Sequence, residues 1–151
     1  PSPEELNRAS LDDLLALKLG YRAKYIKRIC EDVCSGKLDL GRLRKLNYAD
    51  SMEVLLSCYG IGVKVANCIC LFGLHHIGAF PVDTWIKKIL LREYAPKSRC
   101  TSHIPESRLC EALIEENFSK YPGFAGVLQQ YIFFYERDFS QKALQDTSLI
   151  K

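Results

Sequence analysis

Apolar residues recur along this chain at helical spacing almost throughout. From Tyr21 to Cys34, Tyr25, Ile26, Ile29 and Val33 follow a 3.6-residue period, and Ser35-Gly36 ends the run. Leu40, Leu43 and Leu46 predict a short helix, and Asp50 or Ser51 can cap the next one through Cys58. Val63 to Leu74 reads as an apolar helix, Thr84 to Tyr94 as another, and Pro105 to Phe118 as an amphipathic one. Phe124 to Arg137 predicts a long, aromatic-rich helix. At the N-terminal end Ser2-Pro3-Glu4-Glu5 has the form of a capping box with proline at the first helical position. Ser10-Leu11-Asp12-Asp13 repeats it with a shorter acid. No stretch alternates with period 2 between hairpin turns, so the reading is all-α. It predicts a bundle of eight or nine short helices, without internal repeats or flexible linkers.

Composition narrows this picture only slightly. A chain of 151 residues is expected to form one domain around one shared core. At 48% hydrophobic and 26% charged it has a globular composition. No apolar run reaches the roughly 18 residues of a membrane span. Pro1-Ser2-Pro3-Glu4-Glu5 is too polar for a secretory signal and lacks an initiator Met, so a piece of a longer chain is expected.

Charge and cysteine add candidate chemistry. The net charge of +3 says little, but Lys18, Arg22, Lys24, Lys27 and Arg28 form a basic run without an acid. Lys87, Lys88, Arg92, Lys97 and Arg99 form a second, broken only by Glu93, while Glu106, Glu111, Glu115 and Glu116 follow later. A basic side and an acidic side would suit a polyanion such as nucleic acid, although ordinary solvated helix faces explain the charge equally well. The seven cysteines form no disulfide framework, which points to a reducing cytosol. Paired CxxC units, a four-cysteine cluster run and an HExxH motif are all missing; the histidines are His75, His76 and His103. No side-chain metal site is expected, and most cysteines read as small core residues.

The most informative segment is Cys58-Tyr59-Gly60-Ile61-Gly62-Val63-Lys64-Val65-Ala66. Two helical runs meet here across a turn holding two glycines. Gly60 can take a positive φ, and Gly62 leaves the backbone uncovered where the next helix begins. Uncovered amides there could hold a DNA phosphate, and Ala66 permits close helix crossing. Gly-Ile-Gly-x-x-x-Ala between helices is a helix–hairpin–helix signature, with an ordinary tight turn as the competing reading. Lys64 opposes the helix dipole at a cost of about 0.3–1 kcal/mol. It could serve as an amine nucleophile, but on spacing alone a solvent-exposed lysine is the commoner outcome. In Phe80-Pro81-Val82-Asp83-Thr84-Trp85, proline holds the chain extended and Asp83 stands at a helix cap. Residues 75–82 can span roughly 26–29 Å, so a return of Asp83 towards Lys64 is open geometrically.

Together these segments resemble the helix–hairpin–helix (HhH-GPD) DNA glycosylase superfamily. Lys64-Val65-Ala66-Asn67-Cys68-Ile69-Cys70-Leu71 and Leu19-Gly20-Tyr21-Arg22-Ala23-Lys24-Tyr25 resemble its 8-oxoguanine DNA glycosylase/AP-lyase family, in a bacterial-type form. The similarity runs from about Leu19 to Phe133. An endonuclease III type fits less well without its four-cysteine cluster, and a monofunctional alkyl-base glycosylase would lack this lysine.

The resemblance implies base-excision repair: a bifunctional glycosylase and AP lyase acting on double-stranded DNA that contains 8-oxoguanine. Lys64 would attack C1′ of a flipped nucleotide and form a Schiff base, and Asp83 would stabilise positive charge on the sugar. Cys68 and Phe133 would pack on the two sides of the base, and Gln129 would bond its Watson–Crick edge. Tyr21 and Arg22 would act at the gap as wedge and reader of the opposite cytosine, while Gly60, Gly62 and Val63 would hold the backbone. No cofactor is implied as required, but carbonyls of Leu56, Cys58 and Ile61 would suit a monovalent or calcium ion. Tyr59 and Trp85 depart from the usual proline and the eukaryotic histidine.

The resemblance makes residues 1–151 the C-terminal helical part of a longer protein, without its β-containing domain and preceding helices. An apolar face would then be exposed or covered by a neighbouring copy. The location implied is the bacterial cytoplasm at the nucleoid, or the nucleus in a eukaryote, with no membrane partner. Two other readings stay open: a non-catalytic helix–hairpin–helix DNA-binding module, and a superfamily glycosylase for another damaged base.

Overall fold

Local capping chemistry starts the first helices where the sequence places them. The computed structural model describes residues 1–98 and 104–148, with side chains as far as Asp138. Among these residues every regular element is helical. Arg99 and His103, named above, and Cys100, one of the seven cysteines, lie outside them. Length suggests one shared core, whereas the chain divides into two compact units, Pro1–Leu74 and His75–Lys151.

In the first unit, α1 (Pro3–Arg8) and α2 (Leu11–Ala16) each begin with a complete capping box. The Ser2 hydroxyl accepts from the Glu5 amide at 3.2 Å while the Glu5 carboxylate accepts from the Ser2 amide at 2.7 Å. Both helices pack on α3 (Arg22–Cys34), which buries Ala23 and Cys30. Gly36, at φ 76°, ends α3 with its amide donating to the Val33 carbonyl at 3.0 Å. Asp39 caps the single turn α4 (Leu40–Leu43). The next helix, α5 (Tyr48–Ser57), is capped by Asn47 rather than by Asp50 or Ser51. The Asn47 side chain accepts from the Asp50 amide at 2.9 Å and donates to the Asp50 carboxylate at 2.8 Å. That reciprocal pair starts the helix early and places Ser51 inside it, fully buried. Last in the unit, α6 (Val63–Cys68) runs on through a wider π turn, Ile69–Gly73.

The second unit has α7 (Thr84–Ile89), extended by a π turn over Leu90–Tyr94 and a 3-10 turn over Ala95–Lys97. It continues with α8 (Glu106–Phe118) and α9 (Ala125–Ser148). The last helix passes well beyond Arg137, because the following residues hold no glycine or proline to stop it. Phe80, Ile86, Ile89, Leu90, Leu113 and Phe118 form the core of this unit. Phe118 meets the rings of Phe80 and Tyr94 at centroid distances of 5.0 and 5.4 Å. The Gly126 amide donates to the Ile77 carbonyl at 3.0 Å, tying the loop before α7 to the start of α9.

Candidate functional site

The hairpin is built as its glycines suggest. Cys58 ends α5, the Ile61 amide donates back to the Cys58 carbonyl at 3.2 Å, and Gly60 sits at φ 84°. Gly62 then opens α6 in extended conformation without a side-chain cap. Buried Ile61 and Ala66 anchor the two sides of the turn. The two glycines serve different ends. A Cβ on Gly62 would meet nothing within 4 Å, so that position is open outward. A Cβ on Gly60 would lie 2.9 Å from the Tyr25 Cβ and closer still to the Tyr25 ring.

Lys64 is exposed on the first turn of α6, and Cys68 is half-buried one turn later. A strut missed by sequence reasoning steadies that turn. The Tyr48 hydroxyl donates to the Asn67 amide oxygen at 2.9 Å, and the buried Asn67 side chain donates to the Val63 carbonyl at 3.0 Å. Burial pushes the Tyr48 phenol above its ordinary pKa. The only signal for the strut is a polar residue on the inward side of an apolar helix.

At the start of α3, Tyr21 and Arg22 are exposed, with the Arg22 guanidinium 4.9 Å from the Tyr21 ring centroid. Tyr25 meets Tyr21 edge-on at 5.8 Å and Tyr59 at 5.4 Å. Sequence reasoning placed Tyr25 in the apolar period and at the end of the family-like segment from Leu19, without a role; its position four residues after Tyr21 was the available signal.

The basic runs have different fates. Lys18, Arg22 and Lys24 are exposed, whereas Lys27 turns inward and donates to the Asn7 and Ala9 carbonyls at 2.5 and 2.9 Å. Arg28 and Lys37 pair with buried Asp32 at 3.3 and 3.6 Å. In the second run two members pair with acids. Lys87 pairs with Glu106 at 3.6 Å, and Arg92 binds Glu136 through two bonds of 2.9 and 2.8 Å and Glu93 at 2.7 Å. Acids of the same unit thus offset Lys87 and Arg92, while Lys88 and Lys97 are exposed.

In the second unit Asp83 caps α7, its Oδ1 accepting from the Ile86 amide at 2.8 Å. Its carboxylate is half-buried, and Oδ2 lies outside the cap. Gln129 is buried on α9, its side-chain oxygen accepting from the Gln130 amide group. Phe133 packs on the core and, with Trp85, Glu136 and Arg137, lines a cavity of about 190 Å³. The adjoining rings of Tyr131, Phe134 and Tyr135 are exposed, giving this unit an outward apolar face. Cys30, Cys58 and Cys70 are buried and their thiols raised by desolvation, as core cysteines would be, whereas Cys34 is exposed and Cys68 and Cys110 lie between. Among the described residues no group of three or more His, Cys, Asp and Glu could hold a metal, and no helix is long and apolar enough to cross a membrane.

Comparison with known proteins places these features in context. The model of the HhH-GPD superfamily of base excision DNA repair proteins matches residues 1–116. A probable N-glycosylase/DNA lyase of Methanothermobacter thermautotrophicus is 33% identical over 146 residues, covering 90% of this chain and 43% of that protein. The N-glycosylase/DNA lyase OGG1 of Arabidopsis thaliana is 32% identical, over 98% of this chain and 41% of its own length. The Clostridium acetobutylicum 8-oxoguanine glycosylase/lyase, solved with double-stranded DNA containing cytosine opposite 8-oxoG, superposes with a TM-score of 0.77 at 30% identity. That match covers 93% of this chain and 45% of the solved one. The chain thus spans less than half the length of these relatives. With its glycine-opened hairpin and family match, the chain belongs to the HhH-GPD superfamily of base excision DNA repair proteins.

Proposed function

We propose that this chain is the C-terminal, chemistry-bearing helical part of a bifunctional DNA glycosylase and AP lyase that removes 8-oxoguanine from duplex DNA. The observation that carries the reading is Lys64, exposed on the first turn behind a glycine-opened hairpin. The named relatives support the reaction class.

Lys64 acts as the nucleophile on C1′ of a nucleotide flipped out of the stack. Its amine forms the new bond as the glycosidic bond breaks, and the base leaves with that electron pair. Opening of the sugar gives the Schiff base, and loss of a C2′ proton then expels the 3′ phosphate by β-elimination. Asp83 supplies negative charge for the cationic sugar, and its cap bond restricts the carboxylate's rotation. Cys68 and Phe133 flank the base, Gln129 bonds its edge, and Tyr21 and Arg22 act at the gap and the opposite cytosine. Gly60, Gly62 and Val63 hold the DNA backbone.

Carbonyls at the end of α5 and in the hairpin, those of Leu56, Cys58 and Ile61, are proposed to take a monovalent or calcium ion. Helix C-terminal carbonyls carry partial negative charge, and the Cys58 oxygen keeps a second lone pair beyond its bond to Ile61. The place of action is DNA, in the nucleoid or the nucleus.

The test is borohydride trapping of the protein that carries this chain on a duplex with 8-oxoguanine opposite cytosine. A covalent adduct is expected, and Lys64→Gln should abolish it. DNA binding without any adduct would instead favour a non-catalytic hairpin module. Adducts formed only on duplexes with other lesions would reassign the substrate.

A further inference from the structure

Four side chains form a continuous contact chain across the first unit. The Arg22 guanidinium lies on the Tyr21 ring at 4.9 Å, Tyr21 meets Tyr25 edge-on at 5.8 Å, and Tyr25 meets Tyr59 at 5.4 Å. Tyr25 also fills the space that a side chain on Gly60 would need. The two outer rings of the chain are exposed, Tyr21 at 65% and Tyr59 at 59%. The middle ring is half-buried and has an unbroken line of contacts on both sides.

A half-buried ring held between two others and seated against Gly60 cannot move towards the turn without overlapping its backbone. Tyr25 therefore fixes the distance between the start of α3 and the hairpin turn. Backbone contacts set the register of a protein on DNA, while contacts to base edges read sequence. Here the two kinds of contact would come from the hairpin and from the Tyr21–Arg22 pair, and the spacing between them decides which base Arg22 meets.

We propose that Tyr25 is a specificity-determining positioning residue: it transmits the anchoring of the hairpin to the Tyr21–Arg22 pair and so sets the preference for the base opposite the lesion. The inference rests on the proposed glycosylase reading and adds to it a residue that touches neither lesion nor sugar. Its ring acts by shape and edge-to-face contact, so the hydroxyl is dispensable.

The experiment measures single-turnover base excision on duplexes with 8-oxoguanine opposite cytosine and opposite adenine, using the full protein that carries this chain. The ratio of the two rates is independent of how much enzyme is folded, which separates positioning from stability. Tyr25→Ala should lower the cytosine-over-adenine ratio about ten-fold, the scale of one lost aromatic pair. Tyr25→Phe should restore it to within about two-fold, because the ring pair persists. An unchanged ratio in Tyr25→Ala would overturn the proposal, and so would an equal loss in Tyr25→Phe. Should the unmodified protein excise no base from either duplex, the glycosylase reading fails first. Fluorescence titration of an uncleavable lesion analogue opposite each base then reads the same preference as an affinity ratio, with the same expected and overturning results.

Discussion

Helix α6 begins at Gly62, which has no side chain to offer its first amides, while α7 begins at Asp83, whose carboxylate takes the Ile86 amide at 2.8 Å. One start is open to a group from outside and the other is closed by its own cap. A cation in the first turn worsens the open start: Lys64 faces the helix dipole, and among the described residues no acid pairs with it. A short helix kept in that state is suited to meet an anion or to present an amine. Asp83 is suited to a different task, because a carboxylate already held by one oxygen loses little freedom when its other oxygen is used. The pair shows how the same local position can leave a site open or fix an acid in place.

Four measurements would break or sharpen this contrast. The largest effect is expected at the open start: Lys64→Ala should lower base excision by at least about a thousand-fold, the scale of a lost nucleophile. Adduct trapping should vanish while duplex binding persists in a gel-shift titration. At the closed start, Asp83→Asn should slow single-turnover excision by about a hundred-fold or more. Asparagine caps a helix as well as aspartate does, so the melting temperature should hold, whereas Asp83→Ala should also cost about 1 kcal/mol in denaturant unfolding. Equal losses of binding and excision in Asp83→Asn would reduce this residue to a cap.

A smaller effect tests the turn between α5 and α6. Gly60→Ala should destabilise by about 1–2 kcal/mol from left-handed backbone strain and by about 1–3 kcal/mol from overlap with Tyr25. In a Tyr25→Ala background only the first part should remain, a coupling readable in a double-mutant cycle of urea unfolding. Strict additivity would mean that the two residues do not meet. The smallest effects separate two neighbouring lysines. Lys27→Met should cost about 2 kcal/mol, because it removes charged hydrogen bonds to two carbonyls, and should leave DNA affinity unchanged. Lys24→Met should leave stability within about 0.5 kcal/mol and lower the salt slope of DNA binding by about one. Reversed outcomes would exchange their assignments.

These lysines illustrate what could be read from the chain. Ser2, Ser10 and Asp83 were legible as caps because each partner lies three residues away. The hairpin was legible for the same reason: Gly60 and Gly62 answer to a turn of a few residues. Asn47 displaced Asp50 and Ser51 as a cap because three neighbouring residues could all play that part, and only the path of the chain chose between them. Lys27 reads like Lys24 in the sequence, yet its carbonyl partners stand 18 and 20 residues away. Arg92 looked like part of a basic surface until Glu136, 44 residues on, took both ends of its guanidinium. In the aromatic run of α9, Phe133 faces inward while Tyr131, Phe134 and Tyr135 face out.

By itself, then, the sequence determined the helical class, the capped starts, the hairpin and the residue types able to do chemistry. Each depends on hydrogen bonds or backbone angles within one turn of the chain. Tertiary structure decided which cations remain exposed, which acids pair with the others and which tyrosine bears on Gly60. Those outcomes require side chains far apart in sequence to compete for the same space and charge, and that competition is resolved only when the helices pack.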